Sequence, residues 1–378
     1  MHETSGMNIL MVTGIFPPEI GGPASYIPRL ASELATRHEI SVVTLGEPEK
    51  RDLALPFKVI RVPRDGGPWL RRVRTVWCIR YVSKTADVIL ANGLFFETAI
   101  ARSKSVPAVA KVVGDTVWER ARNNGRTGKS LDDFQNGPDT PWLKLMHRWQ
   151  GRCIASFNSV FTPSAYLEGI ARKWGVPANR LNVIPNAVSV PARCEHVPEV
   201  DLVCVCRLVP WKGVMELTRL AVKEGWSLAL VGDGPLRSDV ETYLNKHPGH
   251  KVELRGIVPL AKVTNEIRRG KLFILNSSYE GLPHAVLEAQ AAGVPVVATR
   301  AGGTTECIEN GITGHLVNVG DDQHLKGTIS NLLGNPLRRQ ELAEAALKYI
   351  QVNHDFDNMI CRTEKLLMSA KSSFKCVD

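Results

Sequence analysis

Residues 276–317 read NSSYEGLPHAVLEAQAAGVPVVATRAGGTTECIENGITGHLV. An apolar run, Leu272–Leu275, precedes them and predicts a buried strand, and a second run inside them, Val296–Thr299, predicts another. The letters PHAVLEAQAAGVP between the two runs predict a helix, because a proline suits its first position and the Gly-Val-Pro triplet ends it. The stretch therefore predicts strand, loop, helix and strand, with Glu280 on the loop and Glu288 on the helix.

The start of that helix combines two features that suit a phosphorylated sugar. Its first backbone N–H groups have no partner within the helix, and the positive end of the helix dipole lies there, so an anion is stabilised. A nearby carboxylate, Glu280 or Glu288, accepts hydrogen bonds from sugar or ribose hydroxyls. Two glutamates that only complement the dipole of an ordinary helix start are the alternative interpretation.

Strand and helix patterns alternate along both halves of the chain, which predicts parallel sheets with helices on both faces. A Pro-containing stretch without periodicity, residues 187–198, suits a hinge between the halves. We expect an α/β protein of two doubly wound, Rossmann-like domains facing across a cleft, one at residues 1–190 and one at 199–354. Residues 355–378 are expected to form a helix that crosses back to the N-terminal domain. The predicted strands are Asn8–Thr13, Ile40–Leu45, Phe57–Val62, Val88–Ala91, Ala108–Val113, Ser159–Thr162, Asn182–Ile184, Val200–Cys206, Trp226–Val231, Lys251–Leu254, Leu272–Leu275, Val296–Thr299 and His315–Val317.

Ligands of such sheets bind beyond the carboxyl ends of the strands, and two strand-end loops carry suitable residues. Gly21 and Gly22 follow the first strand, where adjacent glycines let backbone N–H groups approach a phosphate; a flexible turn is the alternative. Arg207 ends the first strand of the second half and Lys212 opens the next helix. A guanidinium and an ammonium so placed would neutralise a pyrophosphate, and two solvated charges beside a turn are the alternative.

Two further strand ends are of interest. Gly232 and Gly234 form a Gly-rich turn after the next strand of the second half. Asp115 follows the strand at Ala108–Val113, where an aspartate either accepts a hydrogen bond from a sugar or acceptor hydroxyl or caps the following helix. Residues 120–139 are polar and Gly-rich and predict a long structureless loop, a candidate acceptor lid.

The ordered run EGLPHAVLE, GVPVVAT, AGG and E-x3-N-G-x2-G resembles the E-x7-E signature of glycosyltransferase family 4, whose members are retaining enzymes with the GT-B fold. PEIGG resembles the family's P-x-x-G-G loop, and CRLVPWKG resembles G-R-L-x-x-x-K-G, with Cys206 where glycine is usual. The resemblance covers nearly the whole chain, is most specific in the C-terminal half, and points to a bacterial polysaccharide-type glycosyltransferase.

The resemblance implies roles in binding a nucleotide sugar. Glu288 would bind the ribose hydroxyls and Glu280 the sugar or its near phosphate. Arg207 and Lys212 would stabilise the departing diphosphate in place of a metal ion, and Asp115 stands where many members carry a histidine that touches the sugar. The expected catalytic residues are Arg207, Lys212, Glu280 and Asp115. The expected donor-binding residues are Gly21, Gly22, Gly232, Gly234, Ile257, Val258, Gly281, Leu282, Pro283, His284 and Glu288.

The net charge of +9 is carried entirely by the first half of the chain. Residues 1–190 hold 25 Lys and Arg against 16 Asp and Glu, whereas residues 191–378 hold 22 of each. This excess favours an anionic partner, either nucleic acid, a membrane surface or an acidic acceptor. Trp69–Lys84 fits a helix at an anionic membrane interface, with a packed core helix bearing a basic edge as the alternative. Nucleic acid is disfavoured because no recognition-helix motif or basic-aromatic strand platform is present.

Eight scattered cysteines without a zinc-type CxxC pair indicate reduced thiols. No apolar run reaches the roughly 18 residues of a membrane span, and the N-terminus lacks the basic region of a signal peptide. We therefore expect a cytoplasmic protein that works at the cytoplasmic face of the membrane.

The resulting prediction is a metal-independent retaining glycosyltransferase without a cofactor. It would move a sugar from a UDP- or GDP-linked donor to a hydroxyl of a glycan or polyprenyl-linked acceptor, in cell-surface polysaccharide or glycoconjugate synthesis. A nucleotide-sugar epimerase or hydrolase on the same fold, and an inactive donor-binding subunit, are the alternatives.

Overall fold

The computed structural model describes residues 6–19, 22–102, 105–192 and 197–375. The chain folds as two units, each of which is assembled from separate stretches of sequence. The first holds the residues up to Val117, Gly137–Ile184 and those from Asp357 onward. The second holds Trp118–Asn136 and Pro185–Phe356.

The first unit is built on a seven-stranded sheet in which every described pairing is parallel, because helices carry the chain back after each strand. Its strand order is β3-β2-β1-β4-β5-β6-β7, so the order reverses between β1 and β4. The strands are β1 (Asn8–Thr13), β2 (Glu39–Leu45), β3 (Lys58–Val62), β4 (Val88–Asn92), β5 (Ala108–Lys111), β6 (Ser159–Thr162) and β7 (Leu181–Val183).

The second unit repeats this plan with six parallel strands in the order β10-β9-β8-β11-β12-β13, which reverses between β8 and β11. The strands are β8 (Val200–Val205), β9 (Leu228–Val231), β10 (Val252–Gly256), β11 (Gly270–Leu275), β12 (Val296–Thr299) and β13 (His315–Val317). Apolar clusters bury both faces of this sheet, which explains why its strands are continuous apolar runs rather than alternating ones.

All thirteen strands expected from the sequence form, with ends that differ by no more than two residues. The helices of the described residues are α1 (Gly22–Leu34), α2 (Gly67–Val82), α3 (Phe95–Ala101), α4 (Thr116–Asn123), α5 (Leu131–Asn136), α6 (Pro141–Ala155), α7 (Ala165–Lys173), α8 (Val214–Glu224), α9 (Arg237–Asn245), α10 (Leu260–Arg268), α11 (His284–Ala291), α12 (Asp322–Gly334), α13 (Pro336–Asn353) and α14 (Phe356–Lys375).

Helix α14 is fixed to the first unit by charged contacts. Glu364 pairs with Arg37 at 2.9 Å and lies 2.8 Å from Nε2 of His38, and Lys371 pairs with Asp87 at 2.9 Å. These contacts explain why residues from Asp357 onward belong with the N-terminal part of the chain.

Residues 118–136 depart from the sequence expectation in two ways. The domain bounds drawn from the sequence placed them in the N-terminal domain, whereas their packing places them in the second unit. The structureless loop expected at residues 120–139 contains the end of α4 and all of α5, because Leu131 and Phe134 within it are buried, as is Trp118 just before it.

Candidate active site

The candidate site lies where the strand order of the second sheet reverses. The loops after β8 and β11, residues 206–213 and 276–283, flank this point at the carboxyl edge of the sheet. Doubly wound sheets bind their ligands in the crevice at such a point. Lys212 lies on the first loop and Glu280 on the second, so the fold brings together two residues that are 68 positions apart in the sequence.

The two loops are held together by backbone contacts. The Ser278 N–H donates to the carbonyl oxygen of Trp211 at 2.7 Å. Gly213 has φ of +60°, and a Cβ at this position would run into the backbone oxygen of Asn276. Only glycine therefore allows the loops to approach this closely.

Lys212 and Glu280 form an ion pair across the two loops. Nζ of Lys212 lies 2.5 Å from Oε1 of Glu280, and the side chains are 19% and 7% exposed. The same carboxylate oxygen accepts a hydrogen bond from Oγ of Ser277 at 2.6 Å. Burial lowers the pKa of Lys212, but the charge and hydrogen bond of the Glu280 carboxylate, together with the nearby Cys206 and Cys204, hold the pKa above its usual value. Lys212 is thus a charged, largely buried ammonium at the switch point.

Arg207, Gly232 and Gly234 lie at the neighbouring carboxyl ends of β8 and β9. Arg207 follows the end of β8 and its side chain is exposed. A Cβ on Gly232 would meet the backbone oxygen of Cys206, and one on Gly234 would meet the backbone of Leu208. The glycines therefore permit close packing of the two strand-end loops, a role that holds whether or not they also contact a ligand.

Glu288 lies on α11 and is partly buried. Burial raises the pKa of this carboxyl to about 7. Within the described part of the chain its carboxylate makes no hydrogen bond or ion pair, so it has capacity to bind hydroxyl groups of a ligand.

The segment between the two glutamates forms the approach to α11. Gly281, Leu282 and Pro283 are buried and His284 is half-buried. Pro283 occupies the N-cap position, and the helix proper begins at His284, one residue later than the sequence suggested. The first turn of α11 thus starts directly after the Glu280 loop.

Ile257 and Val258, two of the expected donor-binding residues, follow β10 and differ in exposure. Ile257 is exposed, whereas Val258 packs against the core of the second unit. Of the two side chains, that of Ile257 is the one accessible to a ligand.

Asp115 takes the position of a helix cap in the first unit. It is buried and accepts hydrogen bonds from the Val117 N–H at 3.0 Å and from Nε2 of Gln150 at 3.0 Å. Nε2 of His147 lies 3.4 Å from its other oxygen. Because Thr116 is the first residue of α4, this is N-cap geometry, the second of the two interpretations left open by the sequence. Direct contact of Asp115 with an acceptor stays a prediction.

The switch point of the first sheet contains residues that the sequence did not single out. Asn92 ends β4, is buried, and its Oδ1 has no hydrogen-bond partner among the described residues. The next residue, Gly93, has φ of +109°, and a Cβ there would lie 3.3 Å from the Gly14 backbone nitrogen. Gly22 begins α1, whereas Gly21 lies outside the described residues. A short polar residue followed by glycine at a strand end was the signal available in the sequence.

Helices α2, α3 and α6 form an exposed face of the first unit that is rich in aromatic residues. On α2, Trp69 and Trp77 are 77% and 70% exposed, and Trp77 stacks on Tyr81 with ring centroids 6.0 Å apart. On α6, Trp142 is 55% exposed. The helices are connected through α3, whose Phe96 lies 4.3 Å from the Trp149 ring of α6 and beneath Arg72 of α2.

This face is also basic. Neither α2 nor α6 contains an acidic residue, and together they carry seven Lys and Arg. Arg72 and Arg74 have carboxylate partners in Glu97 and Asp65. The remaining five, Arg71, Arg80, Lys144, Arg148 and Arg152, make no ion pair with the described residues. None of the described helices is long and apolar enough to cross a membrane.

The described residues contain no group of three or more His, Cys, Asp and Glu side chains that could hold a metal ion. The sequence contains a D-x-D run, Asp355–Asp357, at the start of α14. The metal independence expected from the sequence stays a prediction.

Comparison with known proteins assigns the class. The family model "Glycosyl transferases group 1" matches residues 196–349, and "Glycosyl transferase 4-like domain" matches residues 21–187. A GDP-mannose-dependent alpha-(1-6)-phosphatidylinositol monomannoside mannosyltransferase of Mycolicibacterium smegmatis is 27% identical over 97% of this chain and 99% of its own length. A second relative is the GDP-mannose-dependent monoacylated alpha-(1-6)-phosphatidylinositol monomannoside mannosyltransferase of Corynebacterium glutamicum. It is 25% identical over 95% of this chain and 97% of its own length.

Solved structures agree on the fold. Sucrose-phosphate synthase of Thermosynechococcus elongatus superposes with a TM-score of 0.78 at 17% identity, over 97% of this chain and all of its own. Anabaena HepE in complex with UDP and glucose superposes with a TM-score of 0.74 at 19% identity, over 96% of this chain and all of its own.

Two parallel-sheet α/β units with these structural neighbours define a GT-B fold. The chain belongs to the glycosyltransferases of the family 4 type, as the E-x7-E run indicated.

Proposed function

We propose that this chain transfers a hexosyl group from a nucleotide sugar bound at the β8–β11 switch point, with retention of anomeric configuration, to a hydroxyl of a lipid-linked or glycan acceptor. The observation that carries this proposal is the Lys212–Glu280 pair, which lies at the switch point between exposed Arg207 and the start of α11. Since relatives across nearly the full chain use GDP-mannose, GDP-mannose is the first donor to test and UDP-glucose the second.

Lys212 and Arg207 supply the positive charge that the departing nucleoside diphosphate needs. Because Lys212 is largely buried, its charge acts in surroundings of low dielectric constant and stabilises the developing negative charge more strongly than it would in water. Glu280 fixes the ammonium in place and contacts the sugar end of the donor. Retention then follows when the acceptor hydroxyl attacks from the face that the diphosphate leaves, with a donor phosphate oxygen taking its proton.

Glu288 binds the ribose of the donor. Its carboxylate has no partner among the described residues, and hydroxyl donors would compensate for its burial. The exposed Ile257 side chain then lies against the base, and the turn at Gly232 and Gly234 lies beside the diphosphate.

The α2–α3–α6 face contacts an anionic membrane surface, at the cytoplasmic side, where a lipid-linked acceptor is presented. Exposed Trp and Tyr rings partition into the interfacial region of a bilayer, and unpaired Arg and Lys attract anionic headgroups. The sequence pointed to α2 alone, whereas α6, which is connected to α2 through Phe96, carries exposed Trp142 and three further basic residues.

Transfer of sugar from GDP-mannose and from UDP-glucose to a detergent-solubilised, mannose-terminated lipid acceptor tests the proposal. We expect donor consumption that depends on acceptor, and an α-linked product by NMR of the anomeric proton. Equal donor consumption without acceptor would indicate a hydrolase, and a β-linked product would exclude retention.

A further inference from the structure

The Trp118 ring packs against the rings of Trp211 and Tyr279 in the second unit. Trp118, which is 1% exposed, lies 4.9 Å from the Tyr279 ring in an edge-to-face arrangement and 5.3 Å from the Trp211 ring. Trp211 and Tyr279 directly precede Lys212 and Glu280 in the sequence. One tryptophan therefore contacts the residue next to each partner of the ion pair.

Trp118 is itself held in a fixed orientation. Its indole Nε1–H donates to the carbonyl oxygen of Lys129 at 3.1 Å, which ties α4 to the stretch that leads into α5. Leu131, at the start of α5, is buried in the same segment. Residues 118–136 thus form a folded segment in which a hydrogen bond to Lys129 fixes the orientation of the Trp118 ring.

The loops that carry Lys212 and Glu280 are joined by several hydrogen bonds. The backbone N–H and Oγ of Ser278 both donate to the Trp211 carbonyl oxygen, at 2.7 and 3.4 Å, and Nδ2 of Asn276 donates to the Gly213 carbonyl oxygen at 3.4 Å. None of these three bonds involves the rings of Trp211 and Tyr279, against which Trp118 packs. Loops that contain glycine have high conformational entropy. Part of that entropy has to be lost before two side chains on different loops can be held at hydrogen-bond distance. An edge-to-face contact with Tyr279 and a tilted contact with Trp211 let the Trp118 ring restrain both loops together.

We propose that Trp118 is a positioning residue of the transferase: it sets the geometry of the Lys212–Glu280 pair by packing on Trp211 and Tyr279. The inference rests on the donor-site role proposed for that pair. It gives Trp118 alone a role at the diphosphate end of the donor site, next to residues 120–139, whose polar composition suggested an acceptor lid.

Three variants test this role in the full-length chain. Trp118→Ala should lower kcat per folded molecule by about tenfold or more, because small misplacements of catalytic groups are costly. Affinity for a nucleoside diphosphate should fall more than affinity for the matching monophosphate, because the effect is confined to the diphosphate end. Trp118→Phe, which keeps a ring, should recover kcat to within about threefold of wild type.

Leu131→Ala is the matched control, since it removes a buried side chain from the same segment. It should lower thermal stability while leaving kcat per folded molecule within about threefold of wild type. Equal losses of mono- and diphosphate affinity in Trp118→Ala, or an equal loss of kcat in Leu131→Ala, would show that Trp118 serves folding alone and would overturn the proposal.

A double-mutant cycle tests the contact without any assay of transfer. The shifts in urea midpoint caused by Trp118→Ala and Lys212→Met should be less than additive if the tryptophan supports the pair, and additive shifts would overturn the proposal. If the wild-type protein neither binds nucleoside diphosphate nor transfers sugar, the proposed function fails, while this cycle still decides the role of Trp118 in the fold.

Discussion

Among the individual residues, Lys212 shows how a buried charge is kept ionised. Burial lowers its pKa, Glu280 raises it, and the net effect favours the ammonium. The carboxylate also gains a hydrogen bond from Ser277, so both charges have partners in their partly buried site. The Lys212 ammonium is therefore already charged and held in position, so it needs no rearrangement when the diphosphate of a nucleotide sugar approaches it.

Replacing either basic residue should abolish most of the transfer. Lys212→Met and Arg207→Ala should each lower kcat/KM on the order of a hundredfold, because each removes a positive charge that stabilises the departing diphosphate. Steady-state kinetics with saturating acceptor measures this. Lys223→Met, at an exposed position in the last turn of α8, is the control and should change little. A turnover near that of wild type in either site variant would contradict the assignment.

Glu288 should make folding stability depend on pH. Its folded-state pKa of about 7 is above the usual 4.5 because of burial, so the stability it contributes is complete below pH 4.5 and is lost as pH rises through 7. From about pH 5 to about pH 8, wild type should lose on the order of 3 kcal/mol of unfolding free energy relative to Glu288→Gln. Urea unfolding at several pH values measures the difference, and parallel pH profiles for the two proteins would refute a buried carboxyl.

The residue roles differ in how far the sequence could predict them. Lys212 and Glu280 were identified because a motif marks each of them. The direct contact between them was not predicted, because it depends on how closely two loops that are far apart in the sequence approach each other at Gly213. For Asp115 the sequence left two roles open; its burial and its bond to the Val117 N–H show that it caps α4, and its contact with an acceptor stays a prediction.

Among the strands and helices, the alternating apolar runs sufficed to predict every strand, since a strand buried on both faces has to be apolar throughout. The segment 118–136 was missed because its signal is three buried side chains among polar neighbours, which no periodicity reveals. The partners of its tryptophan, Trp211 and Tyr279, are more than 90 residues away in the sequence.

The N-terminus of α4 should depend on Asp115 for stability. Asp115→Ala removes the side-chain acceptor for the Val117 N–H and should cost about 1 to 2 kcal/mol of unfolding free energy. Asp115→Asn keeps an oxygen in that position and should cost less than half as much. Chemical denaturation measures both. Wild-type stability together with a large loss of kcat in Asp115→Asn would instead support direct contact with the acceptor.

The aromatic face should bind anionic vesicles through both helices. Trp69→Ser with Trp77→Ser on α2, and Trp142→Ser with Leu145→Ser on α6, should each weaken binding to phosphatidylglycerol vesicles about tenfold or more, because each removes exposed apolar surface that would enter the interface.

Vesicle co-sedimentation measures this, with Leu337→Ser, exposed on α13, as the control. Binding should weaken with added salt and on neutral phosphatidylcholine. Equal binding by all variants, or no preference for the anionic lipid, would exclude this face as the membrane contact.

Across the whole molecule, the two units share one plan and differ in charge. Each is a parallel sheet whose order reverses once, but the excess positive charge falls in the first half of the chain. The basic, aromatic face lies in that first unit, and the ion pair and the E-x7-E run lie in the second. The sequence could predict this division because composition and motifs are properties of long stretches.

Titration calorimetry decides whether the β8–β11 switch point binds the diphosphate and ribose of a nucleotide sugar. GDP and UDP would be titrated into wild type, Lys212→Met, Glu288→Gln and Lys223→Met. We expect one bound nucleoside diphosphate per wild-type chain, affinity at least about tenfold weaker in the first two variants, and unchanged affinity in the third. Absence of binding to wild type, or equal affinity in all four proteins, would show that the nucleotide sugar is not bound there.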